Sequence, residues 1–136
     1  MARECKINEN GGQITVQLSV NNGIISGGDF SVYVFETGIV VNSFKMHTDT
    51  TGKGSHTISL NANVLIGKVL SWQILNCSPI VTDTCTLNVE IFQDGQGCQM
   101  NKPAKYNLTN VPNCSLNQAL PVKGGLHFVN QLTPVI

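Results

Sequence analysis

Residues 13–20 alternate without a break, with Ile14, Val16, Leu18 and Val20 on one face and Gln13, Thr15, Gln17 and Ser19 on the other. A period of two is the mark of a half-buried strand, and it recurs along the chain. In residues 29–36, Phe30, Val32 and Val34 alternate with Ser31, Tyr33 and Phe35. That run is apolar on both faces near Val34 and Phe35, which predicts a central strand. Residues 39–48, 55–60, 68–76, 84–93, 105–108 and 126–131 read as further strands. Leu70, Trp72 and Ile74 share a face in one of them, and Cys85, Leu87, Val89 and Ile91 share a face in another. Turn formers stand between the runs: Asn21-Asn22-Gly23, Thr37-Gly38, a polar loop at 49–54, Ser78-Pro79 and Asp94-Gly95-Gln96-Gly97. Residues 98–124, with Pro103, Pro112 and Pro121, are the weakest-patterned part, and 115–120 fits one helical turn. About eight evenly spaced strands predict an all-β antiparallel β-sandwich, immunoglobulin-like or prealbumin-like, with little or no helix. A chain of 136 residues makes one such domain, residues 1–136, and no internal repeat is visible.

The order strand, short turn, strand, Thr48-Asp49-Thr50-Thr51-Gly52, strand, carried by residues 31–35, 38–44, 48–52 and 57–60, resembles the prealbumin-like, carboxypeptidase-regulatory-like sandwich repeats. The resemblance implies an accessory, adhesive or assembly module and brings no catalytic residues. Physically, Asp49 can accept from backbone N–H groups two residues on, and Gly52 tolerates positive φ, so the motif reads as a turn. Two registers are open to the strands that flank it. Pairing Thr48 with Ser55 would set His47 opposite His56 with Asp49 nearby, a two-histidine, one-carboxylate arrangement. Pairing Thr48 with His56 instead sets Met46 opposite Ile58 and Phe44 opposite Leu60. Burial decides register, so the apolar pairing is expected, without a metal.

Composition narrows the function more than any motif does. Eight Lys and Arg balance eight Asp and Glu, for zero net charge. That excludes a general nucleic-acid grip, which needs many cations facing phosphates, and a polybasic membrane anchor. Charged residues are 12% of the chain, about half the usual share; fifteen asparagines and eleven threonines take their place. No run approaches the ~20 apolar residues of a membrane helix. The opening Met1-Ala2-Arg3-Glu4-Cys5-Lys6 is not a secretory signal. The neutral polar character nonetheless suits an extracellular or cell-surface setting with a leader already removed, a cytoplasmic one being the alternative. Asn76, Asn107 and Asn113 head N-x-S/T sequons, which matter only in a eukaryotic secretory host.

Candidate chemistry is sparse. Five cysteines make an odd number. In an oxidising compartment, Cys77 with Cys85 and Cys98 with Cys114 are the natural disulfides, leaving Cys5 over; buried unpaired thiols are the alternative. There is no CxxC, and the spacings fit no zinc motif. Cys98 or Cys114 with His127 is formally a nucleophile and base, but no spacing supports it. Glu36 and Glu90 fall at terminal or solvent-facing positions and do not make a glycosidase pair. No phosphate loop, G-x-S-x-G or H-E-x-x-H occurs, so no cofactor is implied and an enzyme is not expected. Trp72 shares its face with Leu70 and Ile74 and belongs to the core. Tyr33, Tyr106 and the asparagine-rich loops at 21–22, 61–63, 101 and 110 are the candidate glycan contacts.

The strand edges carry the functional expectation. Residues 13–20 have no charge and no proline, and the run 126–136 has no charged side chain apart from what His127 can acquire. Open edges of this kind are sticky unless paired. Ile14, Val16, Leu18 and Val20, with Leu126 and Phe128, are therefore the candidate assembly edges of a self-associating homo-oligomer: a fibre, tube or shell subunit formed by strand addition. A glycan- or protein-binding adhesive module using loops at one end of the sandwich is the alternative.

Overall fold

The computed structural model describes residues 3–21, 25–77, 84–109 and 122–131. Ten strands and one short helix occur among them: β1 Glu4–Ile7, β2 Ile14–Val20, β3 Ile25–Val34, β4 Val40–His47, β5 Lys53–Thr57, α1 Ala62–Leu65, β6 Lys68–Cys77, β7 Thr84–Gln93, β8 Gln96–Gly97, β9 Ala104–Thr109 and β10 Val122–Asn130. They form two packed sheets, the all-β sandwich expected from the period-two pattern. The first sheet has the order β1-β10-β6-β3-β4. The second runs β5-β2-β7, with β8 and β9 sharing the far edge of β7. Every pairing is antiparallel except that of β1 with β10.

Alternation places the core. Phe30, Val32, Phe44, Leu70, Trp72, Ile74, Leu126 and Phe128 of the first sheet face Ile14, Val16, Leu18, Leu87, Val89 and Ile91 of the second, all buried. Ile58, Ala62 and Leu65 from the β5–β6 connection fill one end. Trp72 is 3% exposed, as its neighbours in sequence require. Its Nε1–H donates to Tyr106 Oη at 3.3 Å, which ties the two sheets across the core. Gly124 lies under this pair: a Cβ there would fall on Tyr106 Oη and Trp72 Nε1.

Three expectations are corrected. Residues 14–20 are not an edge: β2 pairs with β5 on one side and β7 on the other, and Ile14, Val16, Leu18 and Val20 are core side chains. Leu126 and Phe128 are likewise interior, because β10 lies between β1 and β6. A strand with no charge, as β2 is, has nothing to blunt an open edge and is paired here on both sides. Finally, β4 and β5 do not pair in either of the two expected registers. The 48–52 turn hands the chain from one sheet to the other, so β4 pairs β3 and β5 pairs β2.

Besides the two-residue β8, which falls within the turn formers at 94–97, β1 is the strand that periodicity missed, because four residues are too few to show a period. It closes one side of the sandwich. Cys5 bridges to Met100, Lys6 N–H donates to Gln99 O (2.9 Å), and Asn101 N–H donates to Glu4 O (3.3 Å). The Arg3 guanidinium adds donations to Gly125 O, Lys102 O and Pro103 O and lies over the Trp72 and Tyr106 rings. Buried Gln93 holds the β1–β2 loop like a backbone group: Oε1 accepts from Asn8 N–H, and Nε2 donates to Asn8 O and Gly12 O. Beyond it, Asp94-Gly95, both at positive φ, make the two-residue turn into β8.

The interior position of β2 has a measurable consequence. Leu18→Ala is expected to destabilise the protein by about 2–5 kcal/mol, as for a fully buried leucine. Val41→Ala, on a true edge strand, is expected to cost under about 0.5 kcal/mol. Urea denaturation of both variants checks this, and equal losses would place β2 at a surface edge after all.

Candidate functional site

Two surfaces stand out, at opposite ends of β4. The first is the hairpin joining β3 to β4. Gly38 adopts φ +72°, its N–H donates to Val34 O, and Val34 N–H donates to Ile39 O, so residues 35–38 form a closed four-residue loop. Thr37 Oγ1 accepts from Ile39 N–H. The ladder slips by one residue here: Val32 faces Asn42 and Tyr33 faces Val40, leaving Val41 as a bulge. The result is an apolar tip. Phe35 is 59% exposed, Ile39 62%, Val40 54% and Val41 39%, four of the five large exposed hydrophobics among the described residues. Phe35 reaches along the outer face of the sheet to the His127 ring, 5.1 Å between centroids. β4 is also the terminal strand of its sheet. Farther along it, Lys45 is exposed and pairs loosely with Asp29 at 3.8 Å. β3 is the central strand that the apolar run at 34–35 predicted, paired with β6 and β4, and the run meets solvent only at Phe35, beyond the end of the strand.

The second surface surrounds the β4–β5 turn. An open cleft of about 560 Å³ is lined by Ser19, Asn21, Thr50, Thr51, Gly52, Lys53, Thr86, Asn88 and Lys105, with Val20 the one large apolar contributor. Local chemistry builds it. Asp49 Oδ1 accepts from the Thr51 hydroxyl (2.6 Å), Thr51 N–H (2.8 Å) and Lys53 N–H (3.1 Å). These bonds hold the Asp49 carboxyl below its ordinary value of 3.8, the Thr51 hydroxyl contributing most, then the Lys53 and Thr51 amides. Gly52, at φ +82°, gives its carbonyl to Val20 N–H and sits so close that a Cβ would strike Val20 O. Asn21 Oδ1 accepts from Thr86 N–H and joins β2 to β7 at the rim. Of the asparagine loops that are candidate glycan contacts, only Asn21 lines this cleft among the described residues, and no aromatic side chain accompanies it there.

The other sequence candidates separate in space. His56 stacks on Phe44, ring centroids 4.1 Å apart, while the His47 ring sits against Gly27 in the first sheet. With Asp49 committed to its turn, the three do not converge, and among the described residues no group of three His, Cys, Asp or Glu side chains gathers. Tyr106 is not a free platform, since its hydroxyl accepts from Trp72. Glu36 lies on the hairpin and Glu90 on β7 of the other sheet. Cys77 and Cys85 end β6 and begin β7 in different sheets. Cys114 and the 115–120 segment lie outside the described residues. Cys5, the expected odd thiol, is a free thiol, as is Cys98, and the two pack together. No described helix is long and apolar enough to cross a membrane. Comparison with protein-family models, curated proteins and solved structures returned no match.

The Asp49 turn makes a pH prediction. Its depressed pKa means that its contribution to stability is present above the ordinary carboxylate value and lost as pH falls through the folded-state value. The stability gap between the native protein and Asp49→Ala is therefore expected to be full at neutral pH and to shrink below pH 3.8. Urea titrations at a series of pH values measure it; a gap that does not change in acid would show that the charge plays no part.

Proposed function

We propose that this chain is a non-enzymatic structural or adhesive subunit of an extracellular assembly, and that its copies associate through the β3–β4 hairpin. The observation that carries the reading is the exposure of Phe35, Ile39, Val40 and Val41 on one hairpin at the end of a sheet. Contiguous exposed hydrophobics of this kind mark protein–protein contacts. The interior strands β2 and β10 no longer supply an association surface, so the role passes to this tip.

A second copy is the occupant that the charge favours. Zero net charge leaves no long-range repulsion between like molecules, a condition that promotes association. Hydrated Lys45 discourages strand addition along the far half of β4. The contact therefore centres on the tip, where the Val41 bulge throws side chains outward. One hairpin is smaller than the ~800 Å² that each partner contributes to a stable interface, so a weak dimer or a repeated contact within a larger array is expected.

Light scattering over a wide concentration range tests this. The apparent mass is expected to rise above 14.6 kDa, and Ile39→Asp should return it to that value without loss of fold. A mass of 14.6 kDa for the native protein at every concentration would overturn the reading.

A second reading has its own observation, the polar cleft with Lys53 and Lys105 on its rim. Hydroxyl, amide and ammonium groups without an aromatic platform suit an acidic glycan better than a neutral one. An acidic-glycan signal on an array, reduced roughly tenfold in Lys53→Glu (about 1.4 kcal/mol), would favour it. An array without signal would remove it.

A further inference from the structure

The strap that closes the sandwich beside β1 brings two thiols together. Cys5 and Met100 face each other across the narrow antiparallel bridge, flanked by the Lys6–Gln99 and Glu4–Asn101 backbone bonds. In that register, side chains two residues apart share a face, so Cys98 lies diagonal to Cys5 on the inner side. Diagonal neighbours stand about 7–8 Å apart on their backbones, and here the two thiols approach closely enough to share a hydrogen bond. Cys5 is fully buried, whereas Cys98 is half-buried at the margin of the core. Their surroundings differ in a second way. Cys98 and Met100 line an open cleft of about 380 Å³, with Glu90 and Lys105 among its polar residues. The cleft lies along the edge of β7 between Val89, where pairing with β9 ends, and Phe92, where pairing with β8 begins. Solvent thus reaches one member of the pair and not the other.

We propose that Cys5 and Cys98 form an oxidisable pair in which Cys98 is the attacking thiol and Cys5 the resolving thiol, with a small-molecule disulfide as the oxidant. The Cys98 thiolate attacks one sulfur of that disulfide in the cleft. A new S–S bond forms and one thiolate leaves, taking up a proton. Cys5 then gives up its proton and attacks Cys98 Sγ; the mixed bond breaks and the second small thiol departs. Two protein thiols are oxidised and one small disulfide is reduced to two thiols, so atoms and electrons balance. The electrostatics run in the same direction. The Cys5 thiol is pushed well up, first by its hydrogen bond with Cys98 and then by burial, while that same bond pulls Cys98 down against burial and the nearby Asp94 charge. Ionisation is therefore favoured at Cys98 over Cys5, and Cys98 is the sulfur that the cleft exposes.

The product would staple β1 to the 98–101 strap, joining positions 5 and 98 and closing most of the chain into one loop. Such a loop limits the unfolded state strongly. It would bypass the Cys98–Cys114 pairing that spacing suggested and leave Cys5 no longer the odd thiol.

The test uses the full chain, reduced, freed of reductant and incubated with oxidised glutathione. Peptide mapping by mass spectrometry is expected to find a Cys5–Cys98 linkage, and the thermal midpoint should rise by roughly 10 °C relative to the reduced form. In Cys5→Ser the resolving step is lost, so glutathione should remain attached at Cys98. If Cys5→Ser does not fold, the native map alone decides. Linkage of Cys98 to another cysteine, or a native protein in which Cys98 keeps glutathione while Cys5 stays reduced, would overturn the proposal.

Discussion

β2 carries no charged residue and sends a continuous apolar row to one side, while β10, whose one lysine is Lys123, sends Leu126 and Phe128 inward. In water such a strand needs a neighbour along both edges and a second sheet across its inner face, because its backbone groups and its side chains must both be covered. That double requirement organises the molecule. β5 and β7 flank β2, β1 and β6 flank β10, and the two apolar rows meet in the core with Phe30, Trp72 and Ile91. The strands left at the margins are the ones able to bear it. β5 carries Lys53, β9 carries Lys105, and β4 carries Lys45 and a bulge.

Closing the sandwich falls to parts with little regular pattern. Arg3 makes three backbone donations and lies over two rings, so a charged residue near the chain start works as a clamp between the sheets. Gln93 supplies two donations and one acceptance inside the fold, where an apolar residue would leave the 8–12 loop without partners. Asp49 does the same for the turn between the sheets. These polar groups are structural because they satisfy backbone atoms, which leaves them unavailable for other chemistry.

The two surface features follow from the same economy of pairing. A tight loop and a bulge at 35–41 turn four apolar side chains outward at one end of β4. The Asp49 turn and its link to Val20 gather amides, hydroxyls and two lysines at the other. A third region, the edge of β7 between its β9 and β8 pairings, borders the cleft in which Cys98 meets solvent while Cys5 stays in the core. Each arises where a strand ends or a partner strand departs, and none depends on a catalytic motif.

Periodicity alone determined the class of fold, most strand positions, the inward faces of β2, β6 and β7, the burial of Trp72 and the turn at Asp49. All of these rest on contacts between residues close in sequence or on a side-chain alternation that is visible within one strand. Partner strands, sheet membership and edges were decided only in three dimensions. A chargeless strand reads the same whether it is a sticky edge or a doubly paired centre, and only the presence of β5 and β7 beside β2 separates the two. The apolar tip was hidden for the same reason, since Phe35 to Val41 look like core until a bulge and a positive-φ glycine turn them outward. The meeting of Cys5 with Cys98 was equally hidden, because more than ninety intervening residues give no local signal. The tertiary pairing of β1 with the 98–101 strap creates that contact.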